Sequence, residues 1–177
     1  MRRRVLFTCM GIGLAALCAP AVMPMSAHER MFVVYNPTDS VPRGWYRVSS
    51  IDNAASLHVG SIVLARLPVD VASFAEQRGY IPSGVPILKR VGAVARQSVC
   101  VRGQTVHIDG AVVATARTHD GARRPLQAWP QCRPLAAGEL FLLSDAKPAS
   151  FDSRYFGPIA ASAVLGIARP LWTWSEP

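Results

Sequence analysis

From Val5 to Met25 the chain carries no charged side chain, and Arg2, Arg3 and Arg4 stand directly before that run. No other feature narrows the possible folds as much. Left as a loop, the run would hold its apolar side chains in water. Wound as a helix, it would reach roughly 30 Å, the thickness of a bilayer's hydrocarbon core. The arginines favour the cytoplasm, so the rest of the chain is expected on the far side of a membrane. Two readings fit. One is an uncleaved anchor, since the run is longer than the usual apolar core of a signal peptide. The other is a signal peptide cut after a small residue such as Ala21 or Ala27, which Pro20 and Pro24 keep open. Both divide the chain into an anchor or signal segment over residues 1–27 and one exported domain over 28–177.

Half of the 177 residues are hydrophobic, enough for one domain with a core of its own. Without the three N-terminal arginines, the net charge of +8 shrinks to 16 basic residues against 11 acidic ones. No run of Lys or Arg interleaved with aromatics follows, which argues against a nucleic-acid partner. A mildly basic surface suits anionic lipid. Cys9 and Cys18 lie in the apolar run. Cys100 and Cys132 lie in the exported part, where a disulfide persists. They are expected to pair, with two buried thiols as the alternative. No CxxC occurs and His28, His58, His107 and His119 are scattered, so no metal site and no cofactor are expected.

Along the exported part, Met31 to Tyr35, Gly44 to Ser50 and Gly60 to Leu67 read as strands. Val69 to Arg78 is the one helical stretch outside the anchor, with Val71, Phe74 and Ala75 as its apolar face and Gly79 as its stop. From Ile87 onwards the pattern is β. Val99 to Val101 and Gln104 to Ile108 alternate, Asp109-Gly110 signals a hairpin, and Ala111 to Ala116 returns. Residues 117–134 read as a loop, Glu139 to Ser144 as a core strand and Lys147 to Pro158 as irregular. Ile159 to Ala168 suggests a strand with a boundary near Ser162. Many short strands with turn signals predict an all-β barrel or coiled sheet.

Three places look chemical. Ser40 sits in Asn36-Pro37-Thr38-Asp39-Ser40-Val41-Pro42-Arg43-Gly44-Trp45-Tyr46, on backbone stiffened by a proline on each side. Lys89 lies in an apolar run, and on a strand it shares a face with Ile87 and Val91. Desolvation there would strip its charge; the alternative is a lysine snorkelling from an edge strand. The third place, Ser144 to Pro158, is dense in hydroxyls and carboxylates. There Asp152 and Arg154 can pair, or the stretch is a polar turn held by its own side chains.

With these residues in view, the chain resembles the type I signal peptidase family, whose members use a Ser-Lys dyad. Within it, the chain looks closest to the TraF-type peptidases of conjugative plasmid transfer. Ser40-Val41-Pro42-Arg43-Gly44-Trp45-Tyr46 fits that branch's Ser-x-Pro-x-Gly-x-Tyr pattern, and Lys89-Arg90-Val91 fits its lysine motif. Ser150-Phe151-Asp152-Ser153-Arg154-Tyr155-Phe156-Gly157 fits Ser-x-Asp-Ser-Arg-x-x-Gly. One departure is Ser144-Asp145-Ala146-Lys147, which stands where the family usually has Gly-Asp-Asn-Arg. Another is the absence of the Ser-Met-x-Pro-Thr form around Ser40. Both point away from general secretion and towards a dedicated substrate.

The resemblance implies a signal-peptidase-like coiled β domain with one short helix, following a transmembrane helix in the inner membrane and lying in the periplasm. It implies Ser40 as nucleophile and neutral Lys89 as general base. Ser150 would orient the lysine, Asp152 and Arg154 would shape the site, and Thr38 would assist the Ser40 N–H in holding the oxyanion. Asp145 is counted with these supporting residues. The expected partners are a pilin precursor, inner-membrane lipid and other conjugative transfer components. Trp172 and Trp174 would rest on the membrane surface or pack in the core. The competing reading is a non-catalytic periplasmic scaffold for pilus or secretion-channel assembly. A self-cleaving repressor-like protease is disfavoured by the anchor and by the lack of DNA-binding helices.

Overall fold

The computed structural model of the protein describes residues 31–51, 56–144 and 149–174. The expected anchor and Asp145 lie outside the described residues. Among those described, no helix is long and apolar enough to cross a membrane.

Among the described residues, eleven strands form two antiparallel sheets. The larger sheet takes β1 (Met31–Asn36), β2 (Arg43–Ser49), β3 (Ile62–Ala65), β4 (Ile87–Ala93), β9 (Glu139–Leu143), β10 (Ile159–Ala160) and β11 (Val164–Trp174). Its order is β1-β2-β11-β3-β4-β9-β10. The smaller sheet is β7 (Ala111–Thr115), β6 (Thr105–Ile108), β5 (Ser98–Arg102) and β8 (Cys132–Pro134), in that order. Helix α1 (Val69–Gln77) follows β3, and α2 (Ser153–Phe156) is a single turn.

Alternation along β4 sets the site. Ile87 and Val91 enter one apolar cluster with Val63, Leu140 and Leu142. Leu88 points the other way, to Val41, Tyr46, Val48 and Leu64. A third cluster, built on Val99, Val106, Trp129 and Phe141, lies beneath the smaller sheet. The β1–β2 hairpin runs in register from Met31↔Ser49 to Asn36↔Gly44, and so presents the intervening loop with Ser40 at the sheet's end. Gly44 has φ +143°, and a Cβ there would meet the Trp172 carbonyl oxygen of β11 at 2.1 Å. Only glycine allows β11 so close to the nucleophile loop.

Four stretches differ from the reading of the sequence. Within 117–134, Cys132–Pro134 becomes strand β8, with Cys100 and Cys132 directly opposite, Cα atoms 3.8 Å apart, and joined by a disulfide. A three-residue pairing flanked by prolines leaves no propensity signal; the cross-link and the waiting edge of β5 decide it. Within Lys147 to Pro158, α2 forms because Asp152 caps it, accepting from the Arg154 N–H. Past Ser162, β11 runs beyond Ala168 to Trp174, absorbing Pro170 at a bulge. On α1, Ala75 is buried but Phe74 is 37% exposed, facing other aromatics rather than the core.

Candidate active site

The nucleophile loop closes around Asn36, the last residue of β1 and only 4% exposed. Its carboxamide nitrogen donates towards the carbonyls of Thr38 (2.8 Å), Val41 (3.0 Å) and Pro42 (3.3 Å). Its oxygen accepts from the Thr38 N–H (3.2 Å) and hydroxyl (2.9 Å). Asp39 pairs with Arg43 across the outside of the same turn. Ser40 is thereby buried, with its Oγ 3.0 Å from Thr38 Oγ1. The Ser40 hydroxyl also donates to the Leu88 carbonyl at 3.0 Å.

That last contact brings the loop onto β4. The N–H and C=O of Val91 bond Ser61 and Gly60 on the β3 side, so by alternation the Leu88 carbonyl faces the side of β9. Strand β9 pairs with β4 only from Arg90 onwards. The Leu88 carbonyl is therefore left for Ser40, and the serine lands one residue from Lys89.

Lys89 is 4% exposed. Its Nζ donates to the hydroxyls of Ser144, at 3.0 Å, and Ser150. Burial penalises the ammonium and lowers its pKa from 10.5 to about 8. Asp152 draws the pKa back up and Arg154 pushes it further down. Because these two charges oppose each other, desolvation governs.

Behind the hydroxyls, Asp152 and Arg154 form a bidentate ion pair, Nε–Oδ1 2.7 Å and Nη2–Oδ2 2.8 Å, fully buried on the carboxylate side. The pair fixes both lysine partners through their backbones. Asp152 accepts from the Ser144 N–H at 3.1 Å, and Arg154 donates to the Ser150 carbonyl at 2.9 Å. It also reaches the Thr115 carbonyl at 2.8 Å, tying the smaller sheet to the site. Next to Ser150, the Phe151 ring stacks on Phe74 and Tyr155. These rings floor a cleft of about 770 Å³ between α1 and residues 125–127.

The structure thus places Thr38 beside Ser40, and Ser150, Asp152 and Arg154 around Lys89; the two groups meet at the Leu88 carbonyl, one residue from the lysine. The Cys100–Cys132 disulfide joins β5 to β8 in the smaller sheet. Among the described residues, no three His, Cys, Asp or Glu side chains could hold a metal ion together. The sequence reading passed over three groups: Asn36, Ser144 and the Leu88 carbonyl. Asn36 was legible in part, as a strand-ending amide two residues before a hydroxyl. Ser144 stood out only as a departure from the family's glycine.

A chain with a hydroxyl nucleophile candidate and a buried lysine of lowered pKa on an antiparallel sheet belongs among serine peptidases of the signal-peptidase kind. Residues 3–174 match the family described as "Signal peptidase, peptidase S26", and the chain belongs to that family. It is 34% identical over 173 residues to a probable conjugal transfer protein TraF of Sinorhizobium fredii, covering 93% of this chain and 89% of that one. It is 31% identical over 183 residues to the plasmid transfer protein TraF of Escherichia coli, with 98% of each chain covered. A crystal structure of a signal peptidase I from Enterococcus faecalis aligns with TM-score 0.38 and 22% identity, over 62% of this chain and 94% of that one.

Proposed function

We propose that the protein is a membrane-anchored periplasmic serine endopeptidase that processes a conjugative pilin precursor, with Ser40 as nucleophile and Lys89 as general base. The observation that carries this reading is the environment of Lys89. The amine is buried, its pKa is lowered to about 8, and its hydrogen-bond partners among the described residues, Ser144 and Ser150, are neutral hydroxyls. A neutral amine has two N–H bonds and one lone pair. With both N–H bonds taken by Ser144 and Ser150, the lone pair is left for the Ser40 proton. Binding of substrate turns the Ser40 hydroxyl from the Leu88 carbonyl to Lys89, a tightening common between free and substrate-bound sites.

Ser40 Oγ then attacks the scissile carbonyl, and its proton passes to Lys89. Charge on the carbonyl oxygen is met by the Ser40 N–H and the Thr38 hydroxyl. The lysine returns the proton to the departing amine, leaving an ester on Ser40. Water releases a shortened pilin; the pilin's own N-terminal amine would release a circle instead.

Strands β1, β2 and β11 supply the membrane side of the reading. Tyr35, Trp45, Trp172 and Trp174 are exposed there, with Arg47 and Arg169 paired beside them. Aromatics flanked by arginines suit the headgroup region of an anionic bilayer, and β1 and β2 carry the Ser40 loop.

The test is processing of a co-expressed conjugative pilin precursor, read by intact mass. Wild type should shorten it, whereas Ser40→Ala and Lys89→Met should leave it full length, a loss of at least about a thousandfold. A further loss of one water marks cyclisation. Normal processing by both variants would leave the scaffold reading in its place.

A further inference from the structure

We infer that Asn36 is a positioning residue for the nucleophile, acting through the hydroxyl proton of Thr38. The inference rests on the reading of Ser40 given above. The buried carboxamide can sit only one way round. Flipped, it would set its oxygen against three carbonyls and its nitrogen against the Thr38 N–H. Held this way, its oxygen takes the proton of the Thr38 hydroxyl.

That hydroxyl has one proton. With it committed to Asn36, Thr38 Oγ1 can only accept from Ser40, 3.0 Å away. The Ser40 proton is therefore shared between two acceptors, Thr38 Oγ1 and the Leu88 carbonyl, and the lone pairs of the serine oxygen are free to attack. As charge grows on the substrate's carbonyl oxygen, Thr38 turns its proton from Asn36 to that oxygen. The carboxamide, pinned by the loop carbonyls, still holds the Thr38 backbone through its N–H and carbonyl during the turn. Aspartate lacks the donors for those carbonyls, and leucine, of similar shape, lacks every bond.

The experiment is a double-mutant cycle on the full-length protein in detergent, with Asn36→Ala, Thr38→Val and the pair. The readout is labelling of Ser40 by a fluorophosphonate, taken as saturating rate and half-saturating concentration, alongside a thermal melt. Each single variant should lose about 10–100-fold in saturating rate with half-saturation changed less than about twofold, and the pair should lose no more than about twofold beyond Thr38→Val. Losses that multiply in the pair would overturn the inference, since Asn36 would then act without Thr38. Asn36→Ser takes the place of the alanine variant if the latter does not fold. Failure of both to melt cooperatively would assign Asn36 to folding alone and also overturn it. If folded wild type is not labelled while Ser40→Ala behaves identically, the Ser40 reading itself falls, and this inference with it.

Discussion

The two sides of the site bury polar groups by opposite means. Around Ser40 the holding group is a neutral carboxamide, Asn36, with donors and acceptor matched to one short loop. Around Lys89 it is an ion pair, Asp152–Arg154, spanning two segments distant in sequence from the lysine. The neutral side exerts no net charge on a hydroxyl that needs only direction. The ionic side carries opposed charges, which leave the lysine's protonation to burial. Rigid placement and charge tuning are thus separated.

Breaking the ionic side should have the largest effect on stability. Asp152→Asn keeps the shape but leaves the buried Arg154 without its counter-charge, a loss of about 3–5 kcal/mol in denaturant unfolding. In the fraction that folds, the titration of Lys89 should move down, because Asp152 supports the ammonium. A loss below about 1 kcal/mol would mean that the pair behaves like an exposed one and that the contrast is empty.

Lys89→Met should act the other way. Lys89 titrates near 8 when folded and at 10.5 when free, so its ammonium opposes folding by roughly 3 kcal/mol below pH 8. Between those values the unfolded chain binds more protons, and wild-type stability rises with pH. The methionine variant should therefore be more stable by about 3 kcal/mol at pH 7, with the gain fading above pH 8 and gone near 10.5. Melts from pH 6 to 10 read this directly. Equal stability of the two proteins at pH 7 would place the lysine in water.

The same titration predicts that turnover climbs about tenfold per pH unit below pH 8 and levels off above it, as the lysine loses its proton. A flat profile from pH 6 to 9 would remove Lys89 as base. On the neutral side the effect on stability is smallest. Thr38→Val should cost no more than about 1 kcal/mol in unfolding, since one net hydrogen bond is lost at an exposed position. A cost as large as that of Asp152→Asn would erase the difference between the two sides.

The sequence was most informative where a pattern is local. Proline and glycine placed Ser40 on a stiff loop before a strand. Alternation in Ile87-Leu88-Lys89-Arg90-Val91 put the lysine on an apolar face, which the packing of Ile87 and Val91 against Val63 and Leu142 bears out. The Asp109-Gly110 hairpin and helix α1 followed from turn chemistry and helical spacing. Strand β8 and the length of β11 did not, because each depends on a partner many residues away.

The division has one physical cause. By itself the sequence determined which residues carry hydroxyl, amine and carboxylate, and which face of β4 the lysine takes, because backbone geometry acts between near neighbours. Only the tertiary structure decided that the Ser40 hydroxyl meets the Leu88 carbonyl, 48 residues on. It likewise brought Lys89 to Ser144 and Ser150, 55 and 61 residues away. Those contacts, and the burial that lowers the lysine's pKa, come from packing segments distant in sequence against one another, and no local pattern encodes them.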